Sequence, residues 1–242
     1  MYNWYPQNKK ELNQVLDEFL QGEAKKIHGL IAPHAGYEFS GEIAGKAFAM
    51  LKKNKKIKAI VIGPSHYIGF TGIRAIKNIE TPLGKVKIMK HNFNINGCGI
   101  HKNPQEVFIY EHSIENQIPF LQKLGFKEIL PLVIGEINKE QAKEIAKEIS
   151  KIKDSIYIFS TDLSHFFPYD TAVKKDKETI RIIENLDFKN QDKIDACGKN
   201  ALMILMELCR LKKYKPRLIE YKNSGDITGN KSEVVGYTSF SF

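Results

Sequence analysis

The alternation of apolar and polar positions changes period several times along the chain, and each change marks an element. Leu12, Val15, Leu16, Phe19 and Leu20 recur at helical spacing, which predicts an amphipathic helix over residues 9–21 behind Trp4-Tyr5-Pro6. The pattern then shortens to apolar runs, His28-Gly29-Leu30-Ile31-Ala32 and Ala59-Ile60-Val61-Ile62, stopped by Pro33 and by Gly63-Pro64. Such runs read as strands buried on both faces of a largely parallel sheet. Residues 41–51 between them read as a helix, which makes a strand, helix, strand unit. Residues 130–134 and 155–159 are two further strands around a charged helix at 138–151. Helices at 171–186 and 193–211 follow, and strands at 217–221 and 234–240 close the chain. Residues 67–103 depart from this rhythm: they are rich in Gly and Asn, with Lys85-Val86-Lys87-Ile88 alternating as in an inserted antiparallel hairpin and loop.

The alternation of strands and helices, without a Pro/Gly/Ser-rich linker, predicts one α/β domain over residues 1–242 with a central, mostly parallel sheet flanked by helices. Ligands of such folds bind beyond the carboxyl ends of the parallel strands. No stretch approaches the ~18 consecutive apolar residues of a membrane span. Met1–Gly22 lacks the order of a secretory signal, so the expectation is a cytoplasmic protein with no membrane partner. The net charge of +9 comes mostly from lysines interleaved with glutamates; the arginines are Arg74, Arg181, Arg210 and Arg217. Arginine is the preferred fork for phosphate and base recognition, and the densest basic run, residues 52–58, has no aromatic platform, so no nucleic-acid partner is expected. Three cysteines without paired spacing argue against a disulfide framework.

Chemistry concentrates where strands end. Three predicted strands each run into a turn carrying a histidine: His34 in Ala32-Pro33-His34-Ala35-Gly36-Tyr37, His66 in Gly63-Pro64-Ser65-His66-Tyr67, and His165 in Ser160-Thr161-Asp162-Leu163-Ser164-His165. If those strands are parallel neighbours, all three imidazoles reach one edge of the sheet. Imidazole is a common ligand for zinc, iron and copper, which makes His34 and His66 candidate metal ligands. Asp162 and His165 share one turn, a spacing suited to orienting a tautomer or to acid/base work, and equally to an N-cap aspartate with a surface histidine. Cys197, ahead of a long apolar helix, is either a small buried side chain or a thiol biased toward thiolate for metal binding or nucleophilic attack. Cys209 completes an apolar stripe with Leu202, Leu205 and Met206 and reads as core. Cys98 and His101 read as a loop feature, because a structural zinc needs further ligands. The run from Glu111 through His112 to Phe120 reads as the acid-rich start of a helix that also suits a pocket wall or a shell around a metal.

Taken together, Ala-Pro-His-Ala-Gly-Tyr at 32–37, Gly-Pro-Ser-His at 63–66, Glu-His-Ser-Ile-Glu-Asn-Gln-Ile-Pro-Phe at 111–120, Ser-Thr-Asp-Leu-Ser-His at 160–165, Cys-Gly at 197–198 and Asn-Ser-Gly-Asp at 223–226 resemble the Memo family. The likeness runs from Trp4 to Tyr237. It implies the fold of the class III extradiol ring-cleaving dioxygenases, which hold non-heme iron with two histidines and a glutamate. A cysteine stands at the glutamate position in Memo-like proteins. By that correspondence His34, His66 and Cys197 are the metal ligands, and His165 is the acid/base residue with Asp162 beside it. Trp4, Tyr37, Ser65 and His112 are expected around the pocket as ligand-binding residues. The resemblance also implies functional association with radical-SAM and AMMECR-type proteins.

A thiolate is softer than a carboxylate and also suits copper or zinc, which points away from ring cleavage. Three functions are therefore weighed. The first is metal-dependent redox chemistry on iron or copper, as a possible oxidoreductase. The second is a non-catalytic binding module for an anionic or phosphorylated ligand or peptide, helped by Lys199 or Lys222. The third is catalysis with Cys197 as nucleophile.

Overall fold

In a computed structural model, which describes residues 4–51, 58–90 and 111–242, successive side chains of the central strands point to opposite faces. On β2 (Lys58–Pro64), Ala59 and Val61 enter one apolar cluster while Ile60 and Ile62 enter another. On β8 (Ser155–Ser160), Ile156 and Ile158 side with the first and Tyr157 and Phe159 with the second. A strand apolar on both faces needs a cover on both. Helices α1 (Lys9–Phe19), α2 (Tyr37–Ala49), α3 (His112–Glu115) and α4 (Ile118–Lys123) supply one layer. The other layer is α5 (Lys139–Ile149), α6 (Tyr169–Asn185) and α7 (Lys199–Lys212).

The remaining strands are β1 (Gly29–Ala32), β3 (Ile73–Ala75), β4 (Glu80–Thr81), β5 (Gly84–Lys85), β6 (Lys87–Ile88), β7 (Glu128–Ile134), β9 (His165–Phe167), β10 (Arg217–Asn223) and β11 (Val234–Ser241). The sheet order is β10-β11-β1-β8-β2-β7-β3, with β6 also on β7 and β9 also on β11. The inner strands β1, β8, β2 and β7 pair in parallel, and β11, β10, β9 and β3 add antiparallel flanks. The expected α/β architecture with a mostly parallel centre is what the chain adopts. No helix among the described residues is long and apolar enough to cross a membrane.

Local differences have local causes. The helix expected from residue 193 starts at Lys199, because the backbone N–H of Cys197 donates to the Asp162 carbonyl (3.3 Å) and that of Gly198 to Thr161 Oγ1 (2.9 Å), bonds that hold this stretch against the sheet edge. The helix expected after Glu111 is divided into α3 and α4 around Asn116 and Gln117, whose side chains bond elsewhere. Of the alternating run at 85–88, Gly84–Lys85 forms a hairpin with Glu80–Thr81, whereas Lys87–Ile88 runs parallel to β7. Asn223 and Asp226 cap each other and turn the polar loop after β10 into a short helix, α8 (Ser224–Thr228). The Cys98 and His101 pair, residues 52–57 of the basic run and the inserted loop beyond residue 90 lie outside the described residues.

Candidate metal centre

Because β1, β8 and β2 are adjacent and parallel, the turns that leave them open on one edge. His34 follows β1 and is 1% exposed; His66 follows β2 and faces the opening. A third imidazole arrives from outside the strands. His112, the first residue of α3, joins His34 and His66 so that one ligand nitrogen from each lies within 4.8 Å of the others. The ring centroids are 5.1 Å apart for His34 and His66, 5.3 Å for His34 and His112, and 4.4 Å for His66 and His112.

The surroundings hold these rings in position. Glu111, buried at the N-cap of α3, accepts from the backbone N–H of His66 (2.7 Å), from His66 Nδ1 (2.8 Å) and from the Ser113 N–H (3.1 Å). Burial works to raise its carboxyl, but the bonds from His66 prevail and hold it below the usual glutamate range. A carboxylate only accepts, so His66 carries its proton on Nδ1 and keeps the Nε2 lone pair for a cation. His34 Nδ1 lies 2.9 Å from Ser160 Oγ. The turn of His34 is gripped by two buried amides: Asn116 Nδ2 donates to the His34 carbonyl (2.6 Å), and Gln117 Nε2 donates to the Pro33 carbonyl and to Ser160 Oγ (both 2.9 Å). His112 is stacked between Trp4, at 4.2 Å, and His66, and its Nδ1 lies 3.1 Å from the Tyr67 hydroxyl. Burial lowers both rings' affinity for a proton, assisted by the neighbouring imidazoles: His34 falls well below 6.5 and His112 to about 4. Neutral imidazoles are the form a metal ion needs.

Residues 3–241 match the family profile described as "Memo-like protein". The chain belongs to the Memo family. Among its relatives, a MEMO1 family protein of Aquifex aeolicus is 32% identical over 269 residues, covering 99% of this chain and 96% of that protein. One from Thermoplasma acidophilum is 33% identical over 254 residues, covering 98% and 94%. One from Sulfolobus acidocaldarius is 34% identical over 235 residues, covering 88% and 81%.

In this Memo family protein Cys197 also lies at the edge, ahead of the Gly198 cap of α7, with Sγ 3.3 Å from His34 Nε2. The Asp162 N–H donates to that sulfur (3.2 Å). A Cβ on Gly198 would stand 2.6 Å from Thr161 Oγ1, so only glycine lets the strand-end turn approach this closely. Burial, with the Asp162 charge added, pushes the Cys197 thiol up. Without a cation the sulfur therefore stays protonated, contrary to the thiolate bias expected near a helix N-terminus, and this weighs against a free nucleophile. Metal–ligand distances of ~2.0 Å for nitrogen and ~2.3 Å for sulfur put two donors of one ion about 3–4 Å apart. The His34 and Cys197 donors stand at that spacing, and imidazoles with a thiol are a donor set for iron, copper or zinc.

Asp162 is 4% exposed, accepts the His34 N–H on Oδ1 (2.8 Å) and places Oδ2 4.0 Å from His34 Nε2. Burial raises its carboxyl to about 6 against the pull of the His34 N–H and the imidazole charges. His165 Nδ1 is 2.8 Å from the Leu163 carbonyl, which can only accept, so the proton sits on Nδ1 and Nε2 is basic. His165 is near enough to interact electrostatically with both His34 and Asp162.

The other expected pocket residues divide. Trp4 stacks on the site through His112, whereas the Tyr37 ring is buried with its hydroxyl donating to the Asn116 carbonyl (2.8 Å), and Ser65 Oγ donates to the Ile68 carbonyl (2.7 Å). Of the two lysines, Lys199 Nζ donates to the Asp192 carbonyl (2.6 Å), and Lys222 pairs with Glu42 and Glu220. Sequence reasoning placed His112 at the wall and missed Asn116 and Gln117 as the clamps of the His34 turn. The available signal was a dense polar run directly before the apolar Ile118 to Leu121.

Proposed function

We propose that this chain is a metal-dependent redox protein that binds iron or copper at the carboxyl edge of its sheet. His34 and His66 are the shared donors, Cys197 the sulfur donor beside His34, and His112 a further imidazole within reach. The observation that supports this most is the convergence of three imidazole nitrogens within 4.8 Å, with the Cys197 sulfur 3.3 Å from one of them.

A bound ion of this kind would supply a Lewis acid able to exchange one electron. The chain's own residues do the rest. Glu111 holds the His66 tautomer, and Ser160, Asn116 and Gln117 hold the His34 turn. The Cys197 thiol would have to give up its proton to serve as a sulfur donor. Asp162, its carboxyl raised to about 6, serves as one proton carrier, and His165 offers Nε2 as the second. The test is metal analysis of protein purified without oxygen or chelators. Near-stoichiometric iron or copper, lost in His34→Ala, is expected; trace metal that is unchanged in His34→Ala overturns the reading.

A further inference from the structure

The face that α6 turns to the core carries Ala172, Asp176, Thr179, Ile180 and Ile183 at helical spacing, and Asp176 is its one charged member. Asp176 is 0% exposed. A carboxylate so far from water is strongly disfavoured unless hydrogen bonds replace its hydration. Two do so: the Ser164 N–H donates to Oδ1 (3.0 Å) and the Tyr221 hydroxyl to Oδ2 (2.8 Å). Burial raises this carboxyl, and both bonds oppose the rise. β11 passes close beside it, because a Cβ on Gly236 would stand 2.1 Å from Asp176 Oδ2.

The N–H that Asp176 accepts belongs to the peptide unit between Leu163 and Ser164. The other polar group of that unit is the Leu163 carbonyl, which accepts from His165 Nδ1 (2.8 Å). A trans peptide unit is planar, with its C=O and N–H pointing in opposite directions, so fixing one end aims the other. The flanking units are pinned to β11: the Leu163 N–H donates to the Gly236 carbonyl (2.8 Å), and the Gly236 N–H donates to the Ser164 carbonyl (3.0 Å). The unit between them can flip by rotation at Leu163 ψ and Ser164 φ alone, and what holds it are two side chains, Asp176 at one end and His165 at the other. A neutral acceptor would satisfy one amide with less desolvation. A charged one also polarises the peptide unit, which makes the Leu163 carbonyl a stronger acceptor for the imidazole.

We infer that Asp176 is a positioning residue for His165: through the Leu163–Ser164 peptide unit it holds the ring in the Nδ1–H form, which leaves Nε2 free to take a proton. This rests on the reading of His165 as a proton carrier.

The test reads the tautomer of His165 by long-range proton–nitrogen correlation in the full chain, stripped of metal, labelled with nitrogen-15 in its histidine rings and held at a pH where the ring is neutral. His165→Gln assigns the signal. The variants are D176N, Y221F and D176A/Y221F. Y221F removes the donor that an alanine at 176 would leave unpaired, so the double variant differs from it in the acceptor of the Ser164 N–H. Wild type, Y221F and D176N, which keeps an acceptor oxygen, are expected in the Nδ1–H form. In D176A/Y221F the ratio of Nδ1–H to Nε2–H should fall roughly three- to tenfold, the worth of one hydrogen bond. If the double variant does not fold, G236A replaces it, since its methyl displaces the carboxylate and should lower the ratio in the same way. A wild-type ring in the Nε2–H form overturns the inference. So does a double variant that lowers the melting temperature without moving the tautomer, or a Y221F that moves it as far as the double variant. Metal content, measured separately, bears on the preceding reading alone, because the tautomer is read without metal.

Discussion

Glu111→Gln isolates the part of the site that sets the chemistry of His66. The carboxylate accepts three N–H groups, two from His66 and one from Ser113, and its side chain is 1% exposed, so solvent does not screen these bonds. A glutamine has one acceptor oxygen. Placed at the Oε1 position it keeps His66 Nδ1 and the Ser113 N–H, and its amide NH2 then faces the His66 backbone N–H, donor against donor. One bond to a charged acceptor is lost, which predicts destabilisation of about 2 kcal/mol. Loss of the charge also weakens the hold on the Nδ1–H tautomer, and removing a carboxylate that orients a ligating histidine lowers metal affinity by roughly 10- to 100-fold, or about 1.4–2.7 kcal/mol. Urea unfolding of the metal-free variant gives the first, and anaerobic competition of iron(II) or copper(I) against a chromophoric chelator gives the second. Wild-type metal affinity in a destabilised variant would show that Glu111 only caps α3, and the account of His66 would be wrong.

Two other outcomes can be checked with stability measurements. Gly198→Ala puts a methyl 2.6 Å from Thr161 Oγ1 and 2.9 Å from the Ser160 carbonyl, which should destabilise by about 1–3 kcal/mol and displace Cys197, so that metal binding falls with stability; a neutral effect on both would mean the turn is loose. His112 is held down to about 4, so between its ordinary 6.5 and that value the unfolded chain binds a proton that the fold refuses, and this contribution to stability is lost as pH falls through the window. The effect is read as wild type minus His112→Gln, because the raised carboxyls of Asp162, Glu115 and Asp176 work in the opposite direction. Metal-free wild type should lose about 1.4 kcal/mol per pH unit relative to the variant below pH 6.5, and parallel pH curves would contradict the burial of a neutral imidazole.

What the chain determines by itself is local. The unbroken apolar runs Ala59–Ile62 and Ile156–Phe159 put apolar side chains on both faces of their strands, which requires a cover on both and so calls for a layered α/β fold. Pro33 and Pro64 stop strands, so His34 and His66 follow directly from the pattern, as do the motifs of the Memo family. Tertiary structure decides what no window of neighbouring residues contains. It places β8 between β1 and β2, which brings Cys197 to His34 across 163 positions and His66 to Glu111 across 45. It selects His112 as the third imidazole, because the α3 cap that binds His66 also orients the next residue. It also holds Cys197 as a thiol, because the acidity of a group depends on how far the surrounding chain excludes water, and that is settled only when distant segments pack. The order of the strands is what sets the Cys197 sulfur beside the His34 imidazole.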